Sequence, residues 1–72
     1  MADSAINRYL LVAQTYPKSE KAPTSLFKAA QALEQKGDLA SAEKYYAAVL
    51  DQYPSSTEAR RAKERVNAIR KK

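Results

Sequence analysis

The sequence predicts an all-α fold: four antiparallel helices arranged as an α-solenoid fragment. Three observations predict it. First, apolar residues recur at helical spacing on both sides of Gly37–Asp38, within LFKAAQALEQKGDLASAEKYYAAVLDQYP, residues 26–54. Before the turn these are Leu26, Ala29, Ala30 and Leu33; after it they are Leu39, Ala42, Tyr46, Val49, Leu50 and Tyr53. Second, one glycine and three prolines in 72 residues are few for a loop-rich or β-rich chain, and the abundant Ala, Glu, Lys, Gln and Leu favour helix. Third, a shift of 37 residues lays AINRYLLVAQTYPKS over AEKYYAAVLDQYPSS, pairing Ala5 with Ala42, Tyr9 with Tyr46, Val12 with Val49, Tyr16 with Tyr53 and Pro17 with Pro54. A two-helix period of this size is the mark of a solenoid, whose units bury their apolar faces only by stacking.

The first helix is expected over residues 4–16. Asp3 or Ser4 caps it, since a short side-chain oxygen accepts from a free backbone N–H. Ala5, Tyr9, Val12 and Tyr16 make its stripe, widened by Ile6, Leu10 and Ala13. Pro17 ends it, having no N–H and disfavouring helical geometry at Tyr16. The second helix is expected over 22–36. Ser19 is a possible cap, but a start near Ala22 places Pro23 in the first turn, where proline is tolerated. Gly37 closes this helix in the left-handed conformation, and Asp38 caps the third, expected over 39–53 before Pro54. Ser55-Ser56-Thr57-Glu58 reads as a capping box that opens a fourth helix over 57–70. Its stripe of Ala59, Ala62, Val66 and Ile69 is narrow and its other faces are charged, the pattern of an end-capping helix.

A chain of this length is one small domain. It has no cysteine and no histidine, which removes disulfides, thiolate chemistry, the commonest general base and the commonest metal ligand. No carboxylate pair is obviously placed in a cleft, and no phosphate loop or metal-ligand spacing occurs. The expectation is therefore no enzyme, no cofactor and no metal. No apolar run approaches the ~20 residues of a membrane span. The N-terminal MADSAINRYL is not a signal peptide, although a start placed before an excised domain would have lost one. The net charge of +5 is confined to the end of the chain: six basic and six acidic residues precede Glu58, and seven basic residues against Glu58 and Glu64 follow. The bland reading is a solvated helix whose last-turn cations suit its dipole. The alternative is a nucleic-acid or anionic-surface patch through Arg60, Arg61, Lys63 and Arg65, which lacks the interleaved aromatics of single-strand binders.

The central stretch resembles the tetratricopeptide repeat. Leu26 stands at the large-residue place, Ala29 and Ala30 at the close-packing places, Leu33 at the aromatic place and Gly37 at the turn; Ala42-x3-Tyr46 supplies the second element and Pro54 closes the repeat. The fold is then one full repeat, preceded by half a repeat and followed by a capping helix. The A-x3-Y-x6-YP-x-S ends, with QALEQKGDLASAEKYYAAVLDQYPSSTEA between them, make residues 5–70 similar to the C-terminal domain of the YbgF/CpoB family of the Gram-negative Tol–Pal system. Assembly lipoproteins of the BamD type carry similar YP-x-S repeats. The YbgF/CpoB resemblance implies a periplasmic scaffold that binds envelope proteins including TolA and helps couple outer-membrane constriction to septal peptidoglycan synthesis. It also implies an upstream signal peptide and a coiled coil through which the full-length protein would oligomerise; the domain alone is expected to be a monomer. A structural spacer with no groove ligand is a further alternative.

In tetratricopeptide arrays the first helix of each repeat lines the concave groove. The candidate binding residues are accordingly Thr24, Phe27, Gln31, Glu34 and Gln35, with a partly exposed Phe27 as anchor among polar neighbours; otherwise Phe27 packs against the first helix as core. The repeated tyrosines Tyr9, Tyr16, Tyr46 and Tyr53 are expected in inter-helix packing, and Tyr45 exposed.

Overall fold

The computed structural model describes residues 2–71, with side-chain surroundings from Ser4 onward. Four helices follow one another: α1 (Ala2–Thr15), α2 (Lys21–Lys36), α3 (Leu39–Gln52) and α4 (Thr57–Arg70). Each packs on the next, and α2 also touches α4. The result is a slab of 33 × 30 × 13 Å, the order of an antiparallel solenoid. The core is drawn from all four helices: Ile6 and Ala13 of α1; Leu26, Phe27, Ala29, Ala30 and Leu33 of α2; Ala42, Tyr46 and Val49 of α3; Ala59, Ala62, Val66 and Ile69 of α4. Ala29, Ala30, Ala42 and Ala62 have no exposed surface. They let the helix backbones approach closely, and a larger side chain there would overpack the contact.

The 37-residue repeat is visible in the backbone. Tyr16 N–H donates to Val12 O at 2.9 Å, and Tyr53 N–H to Val49 O at 2.9 Å. Ser19 N–H bonds Tyr16 O at 3.0 Å, as Ser56 N–H bonds Tyr53 O at 3.1 Å; Ala22 N–H bonds Ser19 O at 3.1 Å, as Ala59 N–H bonds Ser56 O at 3.2 Å. The two Tyr-Pro-x-Ser connections are thus one turn made twice. They are tied together where the Tyr53 hydroxyl donates to Pro17 O at 2.7 Å.

The caps follow the chemistry of their residues, with three corrections. Gly37 has φ 97°, and its N–H and that of Asp38 return to Glu34 O and Leu33 O, the paired bonds of a Schellman close. Asp38 Oδ1 accepts from Ser41 N–H at 3.2 Å. At α4, however, the cap is Ser56 and not Ser55: Ser56 Oγ accepts from Ala59 N–H at 3.1 Å, while Glu58 is drawn to α2 instead of back to the cap. At α2, Ser19 contributes after all, its Oγ accepting from Lys21 N–H at 3.1 Å, and the helix begins at Lys21. α1 begins at Ala2, so Asp3 and Ser4 lie inside its first turn and not at its cap.

The face that α1 turns to the core is also not the stripe expected of it. Ile6 and Ala13 are buried, whereas Ala5 and Tyr16 are exposed and Tyr9 and Val12 only half-buried. Of the four repeated tyrosines only Tyr46 is fully buried; Tyr16 is 62% exposed. Tyr45 is half-buried, with Lys44 Nζ 5.6 Å from its ring centroid. Among the described residues α1 packs on α2 alone, whereas α3 packs on both α2 and α4.

Candidate protein-binding site

The residues of α2 that turn away from α1 meet α4. Thr24 Oγ1 donates to Glu58 Oε2 at 2.5 Å. The Arg61 guanidinium lies 4.9 Å from the Phe27 ring centroid. The Arg65 guanidinium holds Glu34 bidentately, with Nε donating to Oε1 at 3.1 Å and Nη2 to Oε2. Partners on α2 and α4 advance together from Thr24–Glu58 to Glu34–Arg65, so these two helices run parallel and side by side. In a tetratricopeptide solenoid this is the layer that lines the concave surface.

The two candidate residues with ring or charge are engaged inside the fold. Phe27 is 3% exposed, which corrects the expectation of a partly exposed anchor. Its ring sits 5.4 Å from that of Tyr46 on α3, at 59°, with Arg61 of α4 over it, an aromatic and a cation–π contact at the junction of three helices. Sequence spacing places Phe27 one position off the main stripe, but it cannot show that α4 returns to close that side.

Glu34 is the hub of a small polar network. The Tyr46 hydroxyl donates to Glu34 Oε1 at 2.8 Å, and Arg65 grips the same carboxylate from the other side. Burial pushes the Tyr46 phenol well above its ordinary pKa, and the bond to Glu34 adds to the shift. The hydrogen bond and charge of Glu34 raise Arg65 in turn. Both donors therefore keep their protons across the physiological range, and the carboxylate is fixed in place. The sequence marked Glu34 as facing outward; its two partners, twelve and thirty-one residues away, carried no local signal.

The remaining candidates, Gln31 and Gln35, form the accessible crest of α2. With Glu34, Tyr46 and Arg65 they line one shallow depression; with Ala5, Tyr9, Lys28 and Ala32 they line a second on the α1 side. Their amides offer donors and acceptors to a partner's backbone or side chains. Of the basic residues singled out on α4, Arg61 and Arg65 contact α2; Arg65 is half-buried, and Arg61, like Arg60 and Lys63, is exposed. Farther along, Arg70 approaches Glu43 of α3 at 3.6 Å. Among the described residues no cluster of three or more acidic ligands is placed to hold a metal ion, and no helix is long and apolar enough to cross a membrane.

Residues 23–66 match the family described as Tetratricopeptide repeat. The matched segment contains α3 entire and most of α2 and α4, so it takes in every contact of the α2–α4 face. No curated protein and no solved structure gives a significant match.

Proposed function

The chain belongs to the tetratricopeptide repeat family, and from that premise we propose that it is a non-catalytic protein-binding scaffold of the Gram-negative cell envelope. In this reading it works in the periplasm beside the Tol–Pal system. It binds a TolA-like envelope protein through the α2–α4 face and coordinates outer-membrane constriction with septal peptidoglycan synthesis.

The observation that supports the finer reading is the paired Tyr-Pro-x-Ser connection. The 37-residue offset exceeds the usual 34-residue tetratricopeptide period, and the bond from Tyr53 to Pro17 gives the extra length a structural use. The YbgF/CpoB resemblance rests on that same combination. The recognition chemistry follows from the face itself. Gln31 and Gln35 supply adaptable hydrogen bonding on a helix that Thr24–Glu58 and Glu34–Arg65 brace on α4. Preorganisation of this kind lowers the ordering cost of binding.

The test is a titration of the isotope-labelled domain with a TolA fragment, followed by NMR. Shifts should centre on Thr24, Gln31, Glu34 and Gln35 and map to the α2–α4 surface. A titration without shifts there would remove the proposed groove. Repeating it at rising salt separates this reading from a basic-surface binder: affinity carried by Arg60 and Lys63 on an anionic polymer falls steeply with salt. One observation weighs against that alternative: of its four cations, Arg65 is already paired with Glu34 of α2.

A further inference from the structure

The α2–α4 face offers a partner little that is apolar. Phe27 is 3% exposed, and the large apolar side chains that reach solvent among the described residues, Leu11 and Tyr16, belong to the α1 side of the molecule. A helix docking in a groove is held by apolar anchors, and this face has no pocket to receive them. Charge does not mark it either. Glu34 and Glu58 are matched in number by Arg61 and Arg65; Arg65 already holds Glu34, and Glu58 accepts from Thr24. What remains is a pair of side-chain amides. Gln31 and Gln35 stand one turn apart on α2 and border the same depression, with Glu34, Tyr46 and Arg65. Gln31 is half-buried and Gln35 exposed, and among the described residues neither amide has a hydrogen-bonding partner. Each carries two N–H donors and a carbonyl acceptor. Four residues of helix separate the two by about 6 Å along the axis. An extended chain turns an N–H and a C=O to the same edge at every second residue, roughly 6.6 Å apart. The two spacings agree to within the freedom of a glutamine side chain.

The geometry points to an extended backbone as the element that this face binds: Gln31 and Gln35 form a two-amide clamp for one edge of a strand-like segment of another protein. Each amide donates to a carbonyl and accepts from an N–H of one residue, and the two residues so held are separated by one. The inference rests on the α2–α4 face being the binding site and adds which part of the partner it reads. The segment is polar and uncharged, because its side chains meet neither an exposed apolar pocket nor an excess of charge. Selection is by conformation. A helix spends its backbone groups on itself and leaves the clamp nothing to hold, whereas an extended segment keeps a free edge.

The probe is a short, end-capped peptide of alternating threonine and serine, titrated into the isotope-labelled domain. The side-chain amide signals of Gln31 and Gln35 should move together. Gln31→Ala and Gln35→Ala should each weaken binding roughly two- to tenfold, as loss of a hydrogen bond does, with circular dichroism confirming that the variants fold. Full N-methylation of the peptide, which removes its backbone N–H groups, should weaken binding as well. An alanine-based helical peptide should leave both amides unmoved. The proposal is overturned if the two amide signals stay still up to the solubility limit of the extended peptide, if both alanine variants bind as the parent does, or if the helical peptide moves the amides as strongly. The probe contains no envelope-protein sequence, so the two readings fail separately. A TolA fragment that does not bind removes that partner and leaves the clamp; amides that ignore the extended peptide remove the clamp and leave TolA to its own titration.

Discussion

Phe27 and Tyr46 show how far a single side chain's role depends on helices distant in sequence. Phe27 is enclosed by α3 and α4, so removing its ring leaves a cavity where three helices meet. Phe27→Ala should cost about 3–5 kcal/mol of stability, measured by chemical denaturation; a loss below about 1 kcal/mol would return Phe27 to the role of an accessible anchor. Tyr46 carries a pH signature. In the unfolded chain its phenol ionises near the ordinary value of about 10, whereas in the fold burial and the bond to Glu34 hold the proton on to higher pH. Between those two values the native state binds more protons than the unfolded state, so stability falls as pH rises. The expected slope is up to about 1.4 kcal/mol per pH unit. Below pH 10 both states keep the proton and this contribution is fully present. Tyr46→Phe has no phenol to ionise, and denaturation series from pH 9 to 11 should show its alkaline loss reduced relative to the parent.

At the scale of the helices, local chemistry was legible wherever a residue acts on its own neighbours. Gly37 and Asp38 announce their turn because one needs a positive φ and the other a free N–H within reach. Tyr16-Pro17 and Tyr53-Pro54 end helices by sterics that need no tertiary context. The fourth helix marks the limit. Ser55-x-x-Glu58 and Ser56-x-x-Ala59 are both acceptable starts, and what decides between them is non-local: Thr24 of α2 takes the Glu58 carboxylate, and the Tyr53 carbonyl takes the Ser56 hydroxyl at 2.7 Å. Ser56→Ala should therefore cost about 1 kcal/mol, and Ser55→Ala, at an exposed position outside the cap, no more than about 0.5 kcal/mol. Paired thermal melts check this, and equal losses would mean that the cap register is shared. The candidate site was legible in the same partial way. Facing residues on α2 follow from helical period, so Thr24, Gln31, Glu34 and Gln35 fall on one side. That Phe27 and Glu34 would be claimed by α4 does not follow, because the period of one helix says nothing about where the next but one returns.

The molecule as a whole is a solenoid with unlike ends. α4 closes one end by turning Ala59, Ala62, Val66 and Ile69 inward and charge outward. At the other, α1 is half a repeat with Ala5 and Tyr16 exposed and Tyr9 and Val12 half-buried. In a repeat array, stability is approximately a sum of unit terms and nearest-neighbour interfaces, so an interface that is half built is one where stability can be added without altering the rest. A copy of residues 20–38 placed directly before Ala2 reproduces the register of α2, Gly37, Asp38 and the start of α3. The added helix would then reach Ala5, Tyr9, Val12 and Tyr16 as α2 reaches their counterparts. Burial of Tyr9, Val12 and Tyr16 favours docking, against the conformational entropy lost in ordering the added residues. The helix brings its own backbone bonds and a Schellman close to offset that cost. The expected result is one cooperative transition with a raised midpoint, since even a net gain of about 1 kcal/mol moves a domain of this size by roughly 4–8 °C. Tyr9→Ala in the extended chain should abolish most of the gain, and in the parent chain, where Tyr9 is half exposed, it should cost much less. A separate low-temperature transition, or an unchanged midpoint, would mean that the two stripes are alike in sequence but not in what they can hold.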